Sequence, residues 1–128
     1  MEKELKCFKA LSDKNRLRVV LALCHYSDIC ACQLTELLGV TGATASRHMG
    51  LLLDTNLITS RKEGRWVFYS LTTEGKEHPA VLWAQKNLQD DAQIVADNLA
   101  LEEILAENPE DLCRKQRGEA CCPIKKRG

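Results

Sequence analysis

The feature that most constrains the fold of this 128-residue chain is a pair of short helical segments separated by a tight turn. Leu34, Leu37 and Leu38 recur at helical spacing, and Gly39 can end this segment in the left-handed conformation. Thr41 can then cap a second segment that has an apolar side of its own. Two helices joined by a tight turn that contains glycine are the pattern of a helix-turn-helix.

A β-hairpin is predicted directly after this helix pair. Residues 58–62 and 65–71 are rich in β-branched and aromatic side chains, and Gly64 between them permits the positive φ that tight hairpin turns require. We expect the aromatic residues of the second strand to be core and strand formers rather than a stacking platform for single-stranded nucleic acid. The sequence therefore predicts a mainly α fold with a small β-hairpin, a winged helix-turn-helix.

Length and composition favour one folded domain without a membrane segment. A chain of this length with 45% hydrophobic residues can build a single core. No window approaches the roughly 18 apolar residues that a membrane span needs, and charges run through the opening residues, where a signal peptide would be apolar. We therefore expect a cytoplasmic protein with no membrane partner.

The basic side chains are concentrated in the middle of a chain whose formal net charge is zero. Residues 41–71 carry four basic and two acidic side chains, whereas residues 87–112 carry only acidic charges. A DNA-binding surface must come from such local clustering, with the start of the second helix in the major groove. The candidate contacts to bases and phosphates lie at that helix start and near the hairpin tip: Thr41, Thr44, Ser46, Arg47, His48, Arg61, Lys62 and Arg65.

The C-terminal part predicts one long helix from about His78-Pro79, followed by a short helix that begins at Asn108-Pro109. Apolar residues recur along the long helix at steps of three and four, which predicts a seam with a second copy or, alternatively, packing on the chain's own domain. The stripe consists of Val81, Ala84, Leu88, Ala92, Val95 and Leu99. We divide the chain into a DNA-binding and dimerisation domain, residues 1–106, and a short helix with a cysteine-containing tail, residues 107–128.

The helix pair, the basic hairpin and a cysteine pair, in this order and spacing, resemble the ArsR family of metalloid- and metal-responsive repressors, also called the SmtB/ArsR family. The resemblance covers roughly Phe8 to Leu71, and four segments carry it: Phe8-Lys-Ala-Leu-Ser-Asp-Lys-Asn-Arg-Leu, Cys30-Ala-Cys32-Gln-Leu, Thr44-Ala-Ser-Arg-His-Met-Gly-Leu-Leu and Arg61-Lys-Glu-Gly-Arg-Trp-Val-Phe-Tyr. It implies a homodimer formed by the first and last helices. Such a dimer binds two-fold symmetric, double-stranded operator DNA and leaves it when the effector binds.

The chain carries seven cysteines, and an odd number in a reducing cytosol argues against a disulfide framework. Cys7 and Cys24 lie on or beside core-facing helix sides and are interpreted as small buried hydrophobes. The remaining cysteines are candidate ligands for the ion. They form a first-choice pair and a second set: Cys30 with Cys32, and Cys113 with Cys121 and Cys122.

Thiolate ligands favour soft ions, and As(III) and Sb(III) are satisfied by three of them, whereas zinc and cadmium prefer four ligands in a tetrahedron. The resemblance implies a Cys-x-Cys-x-x-Cys run in arsenic-responsive members. Cys30 and Cys32 match its first two positions, but Thr35 occupies the third. A mixed site, in which tail thiols complete the first pair, is a further arrangement.

Geometry adds a hypothesis about the first pair. Residues two apart point about 200° apart around a regular helix, so Cys30 and Cys32 cannot share an ion while both are helical. In an extended segment they point to the same side. We therefore predict that binding holds residues 30–32 out of helix and shifts the start of the following helix.

The sequence predicts a repressor released by As(III) or Sb(III), and it argues against an enzyme. It shows no Ser-His-Asp set and no phosphate-cradling glycine loop. The alternatives of the same fold are a zinc- or cadmium-responsive repressor and a thiol-redox repressor. Zinc is the second choice because the three histidines are scattered along the chain.

Overall fold

The computed structural model describes residues 1–117, without the side chains of residues 113–115 and 117. The predictions that concern Cys121, Cys122 and the side chain of Cys113 lie outside this part. The helices are α1 (Glu2–Leu11), α2 (Lys14–His25), α3 (Ala31–Leu38), α4 (Gly42–Leu53), α5 (Thr73–Glu77), α6 (Pro79–Asn87), α7 (Ala92–Ala106) and α8 (Pro109–Arg117). The strands are β1 (Ile29–Cys30), β2 (Ile58–Glu63) and β3 (Trp66–Leu71).

The predicted helix-turn-helix is confirmed as the pair α3 and α4. Gly39 ends α3 with φ of +67°, the left-handed conformation that glycine adopts without strain. Thr41 caps α4, because its Oγ1 accepts a hydrogen bond of 3.1 Å from the backbone N–H of Thr44. The two helices pack against each other, so α4 is held at a fixed angle to α3.

The predicted hairpin is confirmed, but the sheet has a third strand that the sequence did not indicate. Strands β2 and β3 pair antiparallel around Gly64, which has φ of +62°. Strand β1 pairs with the other edge of β3, so that Ile29 lies opposite Tyr69 and Cys30 lies opposite Phe68. A strand of two residues is too short to show the alternation by which strands are found in a sequence. The wing is therefore tied to the segment just before α3.

The prediction of one long helix from His78-Pro79 is wrong, because the chain forms two helices with a break between them. Asp91 caps α7 by accepting a hydrogen bond of 3.0 Å from the backbone N–H of Gln93, and this cap restarts the helix. Helix α7 then packs against α2 and α3. The expected apolar stripe is divided as a result: Val81 is buried in the core, whereas Leu99 is 62% exposed.

An ion pair between Arg18 and Asp97 anchors α7 to α2. Arg18 Nε donates to Asp97 Oδ2 and Arg18 Nη2 donates to Asp97 Oδ1, both at 2.9 Å. The two side chains are only 12% and 6% exposed. Arg18 Nη2 also donates to the carbonyl oxygen of Leu37 at 3.1 Å. One guanidinium therefore joins α2, the end of α3 and α7.

The predicted short helix after Asn108 is confirmed as α8, and it packs against α3. The backbone N–H of Glu110 donates to Asn108 Oδ1 at 2.9 Å, the expected cap. Leu112 is fully buried. Gln116 Nε2 donates to the carbonyl oxygen of Cys32 at 2.9 Å and to Glu36 Oε1 at 3.1 Å. Among the helices of residues 1–117, none is long and apolar enough to cross a membrane.

Candidate thiol site and nucleic-acid interface

The strand-to-helix junction at residues 30–32 brings the first-choice cysteine pair into one buried cluster. Cys30 ends β1 with an extended backbone, φ −72° and ψ 149°, whereas Cys32 lies in the first turn of α3. The two residues are 0% and 1% exposed, and Trp66 and Phe68 of the wing pack against them. Only Cys30 lies outside the helix, so the idea that binding unwinds the whole segment remains a prediction.

Cys30 is the N-cap residue of α3. Its backbone N–H donates to Gln33 Oε1 at 2.9 Å, and its side chain completes a capping box with the backbone of Gln33. The start of a helix carries a partial positive charge, which stabilises a thiolate. The Cys30 sulfur therefore lies beside the partial positive charge at the start of α3.

Cys32 differs from the other described cysteines in its oxidation state. Cys32 is disulfide-bonded. Cys7, Cys24 and Cys30 are not. Within the described residues, no three His, Cys, Asp or Glu side chains are grouped closely enough to hold a metal ion. The described side chains at this junction supply two sulfur atoms, those of Cys30 and Cys32.

Cys7 is buried as the sequence predicts, whereas Cys24 is half-buried and packs against the core. Cys7 is buried and its Sγ lies 3.5 Å from His78 Nε2. Burial, followed by the charges of nearby glutamates, raises the pKa of the Cys7 thiol, and burial alone raises the pKa of the Cys24 thiol. A raised pKa keeps a thiol protonated and unreactive at neutral pH.

The start of α4 presents the predicted DNA contacts in two different environments. Thr41, Ser46 and Arg47 are exposed, and Thr44 is half-buried with its Oγ1 accepting from the Thr41 hydroxyl at 3.0 Å. His48 is different, because its side chain is only 14% exposed. Its Nδ1 lies 3.1 Å from Arg16 Nη1, which ties α4 to the start of α2.

The three basic residues of the wing also divide into two kinds. Lys62 and Arg65 are exposed, and neither has an ion-pair partner in the described part of the chain. Arg61 Nη1 donates to Asp28 Oδ2 at 2.5 Å and Arg61 Nε donates to Glu63 Oε2 at 2.8 Å. The hydrogen bond to Asp28, followed by the hydrogen bond to Glu63, raises the pKa of the Arg61 guanidinium. The charge of Arg61 is therefore already balanced within the protein.

A cavity of about 620 Å³ connects the thiol site with the helix-turn-helix. Cys32, Thr35 and Gln116 line one end, and residues 39–43 of the turn line the other. The hydroxyl of Thr35 donates to the carbonyl oxygen of Ala31 at 2.8 Å, inside its own helix. Thr35, which replaces the third cysteine of the pattern, therefore lines this cavity.

Sequence reasoning missed three residues of this region: Asp28, Gln33 and Gln116. The spacing Cys30-x-x-Gln33 matches a capping box in which cysteine replaces serine or threonine, so a signal for Gln33 was present. Asp28 and Gln116 act through partners 33 and 84 residues away along the chain. Such pairs leave no local pattern in the sequence.

Comparison with known proteins gives a consistent set of matches. Residues 13–60 match the family described as bacterial regulatory protein, arsR family. The chain is 45% identical over 67 residues to the arsenical resistance operon repressor of Bacillus subtilis (strain 168), covering 52% of this chain and 64% of that protein. It is 35% identical over 103 residues to the arsenical resistance operon repressor of Escherichia coli (strain K12), covering 75% and 84%. A cadmium resistance transcriptional regulatory protein CadC homolog of Staphylococcus aureus is 39% identical over 69 residues, covering 54% and 57%.

Two solved structures share the fold. HlyU from Vibrio cholerae N16961 superposes with a TM-score of 0.57 at 26% identity, covering 70% of this chain and 90% of that one. The homodimeric winged helix-turn-helix DNA-binding domain of Mb0332 from Mycobacterium bovis gives a TM-score of 0.58 at 21% identity, covering 71% and 86%. At this identity, the similarity to the Mycobacterium bovis domain shows a shared fold and nothing more.

Proposed function

The chain belongs to the ArsR family of bacterial regulatory proteins, and we propose that it is a repressor that leaves operator DNA when a soft ion binds its cysteine thiolates. Membership rests on the identity with the Escherichia coli relative over 84% of that protein's length. The family consists of transcriptional regulators, not enzymes. The observation that carries the rest is the burial of Cys30 and Cys32 at the junction of wing and helix-turn-helix.

Double-stranded DNA is the proposed partner of the surface formed by α4 and the wing. Arg47 at the start of α4, with Lys62 and Arg65 on the wing, supplies exposed positive charge for phosphates. Thr41 and Ser46 are short exposed donors that fit base edges or phosphates in the major groove. Thr44 contributes from a half-buried position. We assign His48 and Arg61 an indirect role, because both are held by partners within the chain.

A homodimer is the proposed DNA-binding form. Leu5 and Phe8 of α1 and Leu82 and Trp83 of α6 are large apolar side chains that the chain leaves exposed. Exposed apolar surface of this kind marks a contact with another protein. A two-fold dimer through α1 and α6 covers these residues and presents two copies of α4 to a two-fold operator. The homodimeric Mycobacterium bovis domain has the same fold.

As(III) or Sb(III) is the proposed effector, with Cys30 and Cys32 as two of three thiolate ligands once a dithiol reductant such as dithiothreitol has reduced the disulfide of Cys32 to thiols. Sulfur ligands select soft ions, and two relatives are named arsenical resistance operon repressors. We propose Cys113 as the third ligand in place of Thr35. Position 113 precedes Gln116 by three residues in α8, and residues three apart share a helix face. Gln116 contacts the backbone of Cys32, so that face of α8 lies against the thiol site.

The test measures binding to the chain's own upstream promoter DNA while arsenite, antimonite, zinc and cadmium are added one at a time. We expect arsenite to weaken binding between about 5- and 150-fold, the usual range of allosteric coupling. Serine variants of Cys30, Cys32 and Cys113 should each lose this response. The matched control is Cys24→Ser, since Cys24 is a described cysteine outside the cluster.

The outcomes distinguish the candidate ligand sets. A retained arsenite response in the Cys30→Ser and Cys32→Ser variants would refute the proposed site. If the double variant Cys121→Ser/Cys122→Ser alone lost the response, the C-terminal set would be the sensor. Release by cadmium or zinc but not by arsenite would replace the effector and leave the repressor function intact, in line with the cadmium-related name of one relative.

A thiol-redox repressor is the second candidate, because Cys32 is disulfide-bonded in this structure. In this alternative an oxidant joins Cys32 to a second cysteine, and the resulting bond restrains α3 in place of an ion. Release of DNA by peroxide alone, reversed by dithiothreitol and abolished in Cys32→Ser, supports this candidate. Release by arsenite under anaerobic conditions supports the metalloid repressor.

A further inference from the structure

Strand β1 is a direct connection between the thiol site and the wing. It consists of only two residues, and one of them, Cys30, is also the cap of α3. Cys30 lies opposite Phe68 in the sheet, and Phe68 packs against the cysteine cluster. A sulfur that moves toward an ion therefore pulls on the backbone that pairs with β3.

Arg61 reaches across the sheet to this connection from the far strand. The strand order is β1-β3-β2, so β3 separates Arg61 from β1. Arg61 also lies opposite Phe68, and its guanidinium carbon is 4.8 Å from the centre of that ring. Its Nη1 meets Asp28, the residue immediately before β1. Phe68 is thus flanked by Cys30 on one strand and Arg61 on the other.

We propose that the Asp28–Arg61 ion pair transmits the state of the thiol site to the wing. This inference rests on the proposed function and concerns the regulation of the same site. While β1 is paired, the ion pair holds β2 and the hairpin tip in the position that suits DNA. When an ion draws the Cys30 sulfur, β1 shifts, Asp28 moves with it, and Arg61 loses its anchor. The wing then leaves its DNA-binding position together with the start of α3.

The chain offers a matched control for this role. Asp28 and Glu63 are exposed carboxylates that bind the same guanidinium, at 2.5 and 2.8 Å. The Glu63 pair is internal to β2, whereas the Asp28 pair crosses to β1. Asp28→Asn and Glu63→Gln each remove one negative charge and one ion pair of Arg61. Only the first of them cuts the connection to the thiol site.

The experiment measures operator affinity with and without sodium arsenite for the wild type and both variants, and amide exchange of the β1–β3 pair without arsenite. We expect Asp28→Asn to reduce the arsenite-induced fold-change about two- to five-fold, the range that an exposed ion pair supplies. The amides of Ile29 and Tyr69, the β1–β3 pair whose first N–H is not held by Gln33, should exchange faster in this variant. Glu63→Gln should keep the wild-type fold-change and exchange rates. Matching unfolding midpoints verify that both variants are folded.

The possible failures are distinguishable. If the wild type responds to arsenite and Asp28→Asn responds equally, the ion pair does not transmit the signal, and the proposed function stands. An equal loss in Glu63→Gln also overturns the inference, because the effect then belongs to the charge of the wing rather than to the connection with β1. A wild type that arsenite does not release refutes the proposed function and the coupling with it.

Discussion

The ion pair between Arg18 and Asp97 is predicted to be a main support of the platform on which the thiol site rests. Asp97→Asn keeps the volume of the side chain and removes its charge, so Arg18 is left charged and largely buried. Two hydrogen bonds of 2.9 Å to the carboxylate are weakened by this change. Because Arg18 also contacts the end of α3, the substitution should loosen both α7 and α3.

The magnitude follows from the partners that remain. Removal of one member of a buried ion pair costs roughly 3–5 kcal/mol. Arg18 keeps Asn15 Oδ1 at 3.0 Å and the carbonyl oxygen of Leu37 at 3.1 Å, so we expect the low end, about 3 kcal/mol. With about 2.1 cal/mol/K of unfolding entropy per residue, this corresponds to a Tm lower by about 11 °C.

Urea unfolding at fixed protein concentration measures the change, since dimerisation makes the apparent stability depend on concentration. The double variant Arg18→Met/Asp97→Leu is the control, because apolar replacement of a whole buried pair is close to neutral. A loss below about 1 kcal/mol in Asp97→Asn would show that water reaches the pair. A double variant as unstable as the single one would show that the charge of Arg18 is not the cause.

Three further predictions concern other parts of the fold. Gly75→Ala should destabilise the chain by about 1–3 kcal/mol in urea unfolding, because its Cβ would clash with the backbone carbonyl oxygen of Leu57. At Gly50 the same change meets nothing within 4 Å and should be neutral or stabilising. Arg47→Ala should reduce the slope of log affinity against log salt by about 0.9, provided that Arg47 contacts one phosphate. Although burial opposes it, hydrogen bonds at the start of α2 and nearby positive charges hold the pKa of Asp13 below its ordinary value of 3.8. The ionised Asp13 carboxylate therefore stabilises the fold at neutral pH, and Asp13→Asn should lower the free energy of unfolding there. This difference between variant and wild type should disappear in unfolding titrations as the pH falls through the lowered pKa of Asp13.

Local chemistry made part of the fold predictable from sequence. Gly39 and Gly64 have the positive φ that their turns require, and Thr41 and Asn108 cap the helices that follow them. Each of these signals operates within four residues of its cause, so a reading along the chain finds it. The same reasoning placed Cys30 and Cys32 directly before the first helix of the helix-turn-helix, whereas α3 begins at Ala31 and includes Cys32.

The errors and omissions arise where a local pattern is ambiguous or absent. Apolar spacing continues through residues 88–92, so the sequence predicts one helix although Asp91 begins a new one. Strand β1 forms because one edge of β3 is available for pairing, and the two residues Ile29–Cys30 contain no pattern that indicates this pairing. No local pattern indicates the ion pair of Arg61 with Asp28, because the two residues are 33 positions apart.

The replacement at Thr35 changes what an ion at this site can do to the fold. A cysteine at position 35 would let β1 and α3 supply all three thiolates, so an ion would join only these two elements. With Thr35 in the third position, the proposed third thiolate belongs to another element, and α8 is the element whose Gln116 already contacts Cys32. An ion held as proposed would join β1, α3 and α8, so its binding free energy would act on the distances between elements. Since Cys30 pairs with the wing and α3 leads into α4, the two proposed DNA-contacting elements would then be displaced together.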